Sequence, residues 1–266
     1  MKIIVCIKQV PNTKEIRIDP ETGTMIRKGV PSIINSDDKH ALEAALALKD
    51  ANPAEVHVTV LSMGPMQAKD ALMECLCMGA DEAVLLSDRA FGGADTWATA
   101  HTLAAAIRKM GVFDLILCGQ QAIDGDTAQV GPQLADRLNL PQVTYAQALS
   151  LEGNTLTVER QMEDGYQVIR TALPALVTAT RKLNQPRYMN VRDIVRVTRL
   201  EEPVQVMGLA DIDIDPSEIG LKGSPTRVKR SFSPTPGSEV RFLEGGPAEM
   251  AAALLTELRE LTLVKK

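Results

Sequence analysis

Gly119 to Pro132, GQQAIDGDTAQVGP, carries the densest set of ligand-competent groups in the chain. It follows an apolar run, FDLILC (113–118), and leads into a helical pattern expected from about Asp126 to Leu138. A helix that opens after a glycine turn offers unpaired backbone N–H groups and the positive end of its dipole, which suits a pyrophosphate. Gly125 lets the backbone approach a ligand closely. Thr127 and Gln129 can donate side-chain hydrogen bonds. Asp124 and Asp126 are acceptors for ribose hydroxyls or an adenine amino group. The plainer reading has Asp126 capping the helix and Gly125 making a turn. Local chemistry leaves both open.

Three further loops have similar chemistry. SMGPMQA (62–68) contributes Met63 and Gly64, FGGADT (91–96) contributes Asp95 and Thr96, and IINSDD (33–38) contributes Asn35, Ser36, Asp37 and Asp38. Ser36 or Asp37 could equally cap the helix that follows. Each loop lies between a strand pattern and a helix pattern, and open parallel sheets bind ligands beyond the carboxyl ends of their strands. Four such loops favour a dinucleotide-sized ligand over a bare phosphate. No GxSxG, HExxH or Walker A motif occurs, so no catalytic residue is assigned and any chemistry would lean on a cofactor. Cys6, Cys75, Cys77 and Cys118 form no CxxC, and His40, His57 and His101 are scattered. These are read as structural thiols in a reducing, cytoplasmic setting, with no metal site.

The elements that must position these loops alternate. Strand patterns at 2–7, 55–62, 82–86, 113–118 and 174–180 are interleaved with helical ones at 37–49, up to about 78, and after Asp95. This implies an α/β fold with a parallel sheet and right-handed crossovers. TLTVERQ (155–161) and YQVIRTA (166–172) flank Glu163-Asp164-Gly165 and read as a β-hairpin. From Asn184 the alternation stops, prolines and glycines recur, and only 247–262 is clearly helical. The expected division is a nucleotide-binding domain at 1–183 and an extended C-terminal arm at 184–266, laid on this domain or on another protein.

Composition narrows the function classes. The 266 residues include 29 Lys+Arg and 34 Asp+Glu, a net charge of −5, with 3% aromatics. An acidic, aromatic-poor chain is unsuited to duplex DNA or to stacking on single strands, so no nucleic-acid partner is expected. The longest apolar runs are strand-sized, so no membrane insertion is expected. MKIIVCIKQVP reads as a first strand and not as a signal peptide.

VERQMEDGYQVIRTALPALVT (158–178), the 119–132 loop and GSPT (223–226) together resemble the β subunit of the electron-transferring flavoprotein family. The resemblance implies a five-stranded parallel sheet of adenine-nucleotide-hydrolase-like type. It also implies an α-subunit partner carrying one FAD. Family members with a structural AMP have a loop resembling D-D-x-N-Q-T, and electron-bifurcating members with a second FAD have one resembling D-G-D-T-A-Q-V. Asp124 to Val130 is of the second kind. The implied FAD site (AMP being the alternative) comprises Cys6, Asn35, Ser36, Asp37, Asp38, Met63, Gly64, Asp95 and Thr96. It continues through Gly119, Gln120, Gln121, Ala122, Ile123, Asp124, Gly125, Asp126, Thr127, Ala128, Gln129 and Val130. The implied reaction takes a hydride from NADH, with NAD(H) as substrate. One electron then passes to ferredoxin and the other, through the α-subunit FAD, to an acyl-CoA or 2-hydroxyacid (lactate-type) dehydrogenase, or the flow runs in reverse. A non-bifurcating subunit with AMP and a non-redox nucleotide-sensing module are the alternatives. The chain departs from the family pattern at Gln120, where Lys or Arg is usual, at Ser36, where Pro is usual, and at Asp37, where an aromatic is common. Arg181 to Leu200 resembles the family's recognition loop, with six basic residues and one acidic. Val191 stands at the family's apolar anchor, and Arg187, Arg192 and Arg196 are expected to steer docking.

Overall fold

The computed structural model describes residues 1–12, 31–229 and 242–261. It divides into two units, Met1–Val228 and Lys229–Lys266. In the first, β1 (Lys2–Cys6) is followed by a small antiparallel pair, β2 (Gln9–Pro11) with β3 (Ser32–Ile34), and then by α1 (Ser36–Ala51). The alternation continues through β4 (His57–Met63), α2 (Lys69–Met78), β5 (Glu82–Leu86), α3 (Thr96–Met110), β6 (Leu115–Gly119) and α4 (Val130–Leu138). An antiparallel meander of β7 (Gln142–Glu152), β8 (Thr155–Met162) and β9 (Gly165–Ala172) comes next. The chain then re-enters the sheet as β10 (Ala175–Ala179). α5 (Val191–Thr198), β11 (Gln205–Met207) and the single turn α6 (Gly220–Gly223) complete this unit. In the second unit the described element is α7 (Pro247–Glu260).

The main sheet has nine strands in the order β11-β5-β4-β1-β6-β10-β7-β8-β9. All neighbours from β11 to β7 are parallel, and β8 and β9 are antiparallel. Its centre, β5-β4-β1-β6-β10, is the five-strand layout that the resemblance implies, extended on both sides. The chain winds outward from β1 to β5, then returns to place β6 on the other side of β1. That makes the β1–β6 junction the topological switch point, where the crevice of such a sheet lies.

Alternate strand residues feed two apolar layers, because successive side chains leave opposite faces of a strand. Ile3, Val5 and Ile7 pack with Leu42 of α1 and Leu72 of α2. Ile4, Leu61 and Ile116 pack with Ile107 of α3 and Leu134 of α4. Buried alanines at 41, 44 and 45 in α1, and at 98, 100 and 104–106 in α3, let the helices approach the sheet closely. Among the described core residues Phe91 is the one aromatic, so aliphatic packing carries the fold at about 1.5–3 kcal/mol per large buried side chain.

Three elements differ from the sequence reading. β7 was not anticipated. α4 begins at Val130 and not near Asp126, because Asp126 and Ala128 adopt left-handed backbone angles (φ 47° and 53°) that end any helix before Gln129. The first compact unit also runs to Val228 instead of stopping at 183. β11 pairs in register with β5 (Gln205 with Val84), and Val197, Val204, Met207, Ile212 and Ile219 are buried in the two apolar layers. These apolar residues fill separate gaps and follow no helical or strand period, which hid them in a proline- and glycine-rich stretch.

Candidate functional site

The crevice at the switch point is built first by the start of α1. Asn35, fully buried, makes no side-chain cap for its own helix. Its Nδ2 donates to the Gln121 carbonyl at 2.8 Å, and its Oδ1 accepts the Ile123 N–H at 3.1 Å. Asp38, on the next turn, accepts the Lys8 N–H at 2.7 Å on one oxygen and the Gly119 N–H at 3.1 Å on the other. Burial pushes the Asp38 carboxyl up to about 7, against the lowering effect of its hydrogen bonds. Asp37 Oδ1 accepts from Arg181 Nε at 2.7 Å, and the Gln120 N–H donates to the Ala179 carbonyl at 2.8 Å. Ser36 Oγ donates to Asp37 Oδ1 at 3.3 Å. The segment 35–38 therefore braces the turns that leave β1, β6 and β10 and does not merely cap α1.

The β6–α4 loop is held above this floor. The N–H groups of Gly125 and Asp126 both donate to the Ala122 carbonyl, at 3.1 and 2.8 Å. Lys8 Nζ meets Asp124 Oδ1 at 2.6 Å, and Gln121 Nε2 donates to Asp126 Oδ1 at 3.0 Å. The left-handed residues Asp126 and Ala128 cost of order 1 kcal/mol each, a strain that persists only where surrounding contacts impose it. They leave the backbone N–H groups of Thr127, Ala128 and Gln129 donating to no other described residue. Three successive backbone donors ahead of a helix N-terminus form an anion-accepting concavity.

The start of α3 closes one side. Thr96 Oγ1 donates to Gln129 Oε1 at 3.1 Å, and Gln133 Nε2 reaches Thr96 Oγ1 at 3.4 Å. Gln133 Oε1, and Ser62 Oγ at the carboxyl end of β4, are buried without a partner among the described residues. Asp95 Oδ1 caps α3 by accepting the Ala98 N–H at 3.0 Å. Backbone donors for phosphate oxygens and a buried acceptor for an amino group, both without a partner among the described residues, fit an adenine nucleotide. Residues 22–204 match the electron transfer flavoprotein domain.

This chain belongs to the electron transfer flavoprotein family. It is 54% identical over 265 residues to the caffeyl-CoA reductase–Etf complex subunit CarD of Acetobacterium woodii, covering 99% of this chain and 100% of that protein. It is 54% identical over 260 residues to the electron transfer flavoprotein subunit beta of Clostridium acetobutylicum, covering 98% of each. It is 42% identical over 268 residues to the acryloyl-CoA reductase electron transfer subunit gamma of Anaerotignum propionicum, again covering 98% of each. Flavin or nucleotide association comes with the family.

Within this flavoprotein chain the expected site residues divide. Asn35, Asp37, Asp38, Thr96, the run from Gly119 to Asp126, and Gln129 take part in the contacts above, Thr127 and Ala128 lie between them in the loop, and Val130 opens α4. Met63 and Gly64 end β4 on the same sheet edge, where the Gly64 N–H is taken by the Leu86 carbonyl at 3.0 Å. Cys6 ends β1 half-buried. Hydrogen bonding to Cys6, and then burial, push the Cys118 thiol well above its ordinary range, so Cys118 is not poised as a thiolate. Lys8, Gln133 and Arg181 were missed, because Lys8 and Arg181 are distant in sequence from their partners Asp124 and Asp37, and Gln133 falls one residue beyond the loop motif. Among the described residues no His, Cys, Asp or Glu group could hold a metal ion, and no helix is long and apolar enough to cross a membrane.

In the recognition segment two of the cations have partners within the chain. Arg187 forks onto Glu43 at 2.8 and 2.9 Å and also reaches Asp50 at 2.7 Å. Arg196 meets Asp193 at 2.9 Å and donates to the carbonyls of Leu76 and Ala80 at 3.2 Å. Both cations are paired within the chain while their side chains stay partly exposed. Arg192 is exposed and forms no salt bridge among the described residues, and Val191 at the start of α5 is 77% exposed.

Proposed function

We propose that this chain is the β subunit of a heterodimeric electron-transferring flavoprotein of the bifurcating kind, holding a second FAD against the 119–130 loop. The complex would take a hydride from NADH. It would pass one electron to ferredoxin and the other, through the α-subunit FAD, to a partner dehydrogenase, or run in reverse. Two relatives are named for caffeyl-CoA reductase and acryloyl-CoA reductase, which favours an acyl-CoA-type partner over a 2-hydroxyacid one. A bound flavin would supply the hydride and one-electron chemistry that no side chain of the site offers.

The chain's own residues hold and orient. The N–H groups of Thr127, Ala128 and Gln129 would take diphosphate oxygens, while Asn35 and Asp38 fix the loop that carries them. The observation that carries the choice of FAD is Gly125. It is exposed, and a Cβ added there meets nothing within 4 Å, so the loop has open space where the AMP-type pattern places a carboxylate. The test is a count of nucleotides released from the purified αβ complex, with its visible spectrum. Two FAD per αβ pair supports the proposal. One FAD with one AMP would replace it with the non-bifurcating subunit.

A further inference from the structure

Residues Gly220 to Thr226, which lead toward the second unit, are knit onto the loop ahead of α3. Gly220 has φ +55°, and a Cβ there would lie 2.0 Å from the Ala90 carbonyl oxygen, so this approach requires glycine. The Leu221 N–H donates to the Gly92 carbonyl at 3.0 Å. Ser224 is buried. Its hydroxyl donates to the Gly220 carbonyl at 2.7 Å and accepts the Asp95 N–H at 2.8 Å. Thr226 donates twice to Asp95 Oδ2, from its N–H at 3.0 Å and from its Oγ1 at 2.8 Å.

Asp95 thus stands between two partners. One carboxylate oxygen holds Thr226, and the other caps α3, whose first residue, Thr96, is hydrogen-bonded to Gln129 of the nucleotide loop. Desolvation raises the Asp95 carboxyl, but its donors outweigh that and keep it below the usual range, so it is ionised and fully engaged.

We propose that Asp95 is a positioning residue that couples the 220–226 segment to the nucleotide loop, so that seating this segment tightens nucleotide binding and nucleotide binding seats this segment. The inference rests on the nucleotide reading of the 119–130 loop. The coupling is reciprocal by thermodynamic necessity: if the staple favours the geometry that binds nucleotide, nucleotide favours the staple by the same factor. A charge-assisted hydrogen bond is among the stronger side-chain contacts, so its loss has enough free energy to be read at the loop.

The test uses the full αβ complex with AMP and FAD as probes. Thr226→Val keeps the shape and removes one donor to Asp95, and Thr226→Ser keeps the donor. Binding of either nucleotide to the β chain is expected to weaken roughly 3- to 10-fold in Thr226→Val, the span of a hydrogen bond to a charged group only partly transmitted. Thr226→Ser is expected to restore the parent value. Hydrogen exchange across 220–226 is expected to slow when nucleotide is added to the parent, and to slow less in Thr226→Val. Asn35→Ala, which removes a direct brace of the loop, serves as the control. If Asn35→Ala weakens binding while Thr226→Val matches the parent, the coupling is wrong and the site stands. If neither variant changes binding, both the coupling and the nucleotide reading fall. Loss in Asp95→Asn without loss in Thr226→Val would make Asp95 a direct ligand and overturn the joint.

Discussion

Asp38 and Gly119 are locked together across the β1–β6 junction. The carboxylate accepts the Gly119 N–H at 3.1 Å, and a Cβ at residue 119 would lie 2.2 Å from the same oxygen. The carboxyl group is sealed under the crevice by a neighbour that must be glycine, and this burial moves its titration up from 3.8 to about 7.

The first prediction follows from that shift. In the unfolded chain Asp38 protonates near 3.8, and in the fold near 7. Between these values the folded state binds more protons, so stability falls as pH rises from about 4 to about 7 and levels off above. The slope from one such group is about 1.4 kcal/mol per pH unit at most. Thermal melting of the αβ complex across this window should show the decline, and Asp38→Asn should flatten it. A parent whose melting temperature climbs through the window, with Asp38→Asn parallel to it, would show that Asp38 is ionised throughout.

A second prediction concerns ligand choice. Gly125→Asp recreates the carboxylate of the AMP-type loop. The position is exposed, its φ is not in the left-handed range, and an added Cβ touches nothing, so the chain should fold unchanged. The new negative charge would lie in the loop proposed to hold the diphosphate and, by like-charge repulsion, is expected to expel the second flavin. Flavin content after gel filtration should fall from two FAD per αβ pair to one. Two FAD retained would detach the loop sequence from ligand choice.

Much of this architecture was readable because it is local. The strand at 82–86 is a contiguous apolar run, and the hairpin turns at an acidic-Gly pair, so short windows held enough information. The 119–132 loop stood out for the same reason, as one short window between a strand and a helix. What holds that loop was not readable. Asn35 meets Ile123 across 88 positions, and Asp95 meets Thr226 across 131, and neither partner announces the other. The helix start was misplaced because Ala128 is a strong helix former in isolation, yet here it takes φ 53° to complete the loop. Tertiary contacts overrode local propensity at the site.

A third prediction separates bracing from docking. Glu43 and Asp50 raise the Arg187 pKa, and the Glu43 side chain is only 12% exposed. Arg187→Ala would leave that carboxylate without its forked partner, a loss of roughly 1–3 kcal/mol. The αβ complex should melt lower, while the salt dependence of docking to its dehydrogenase stays as in the parent. A changed salt dependence at unchanged stability would return Arg187 to a steering role.

The last prediction concerns Val191 and Arg192, an exposed apolar residue and an exposed cation side by side at the start of α5. Val191 is 77% exposed at the start of α5, next to Tyr188 at 94% and Met189 at 49%. An apolar side chain held that far into solvent on a helix end is placed for a partner's pocket, and anchors in small interfaces carry a disproportionate share of the binding energy. Val191→Ala should weaken the complex with the dehydrogenase by roughly 1–2 kcal/mol, about 5- to 30-fold. Arg192→Glu should act differently. An exposed charge works mainly on encounter, so association should slow and its dependence on salt should flatten, with little change in dissociation. Neither change touches the floor of the crevice, so nucleotide content and NADH-dependent reduction of the isolated αβ complex should match the parent. Electron delivery to the dehydrogenase, titrated at two ionic strengths, reads both effects. If both variants deliver electrons as the parent does, this exposed apolar end is not the docking point.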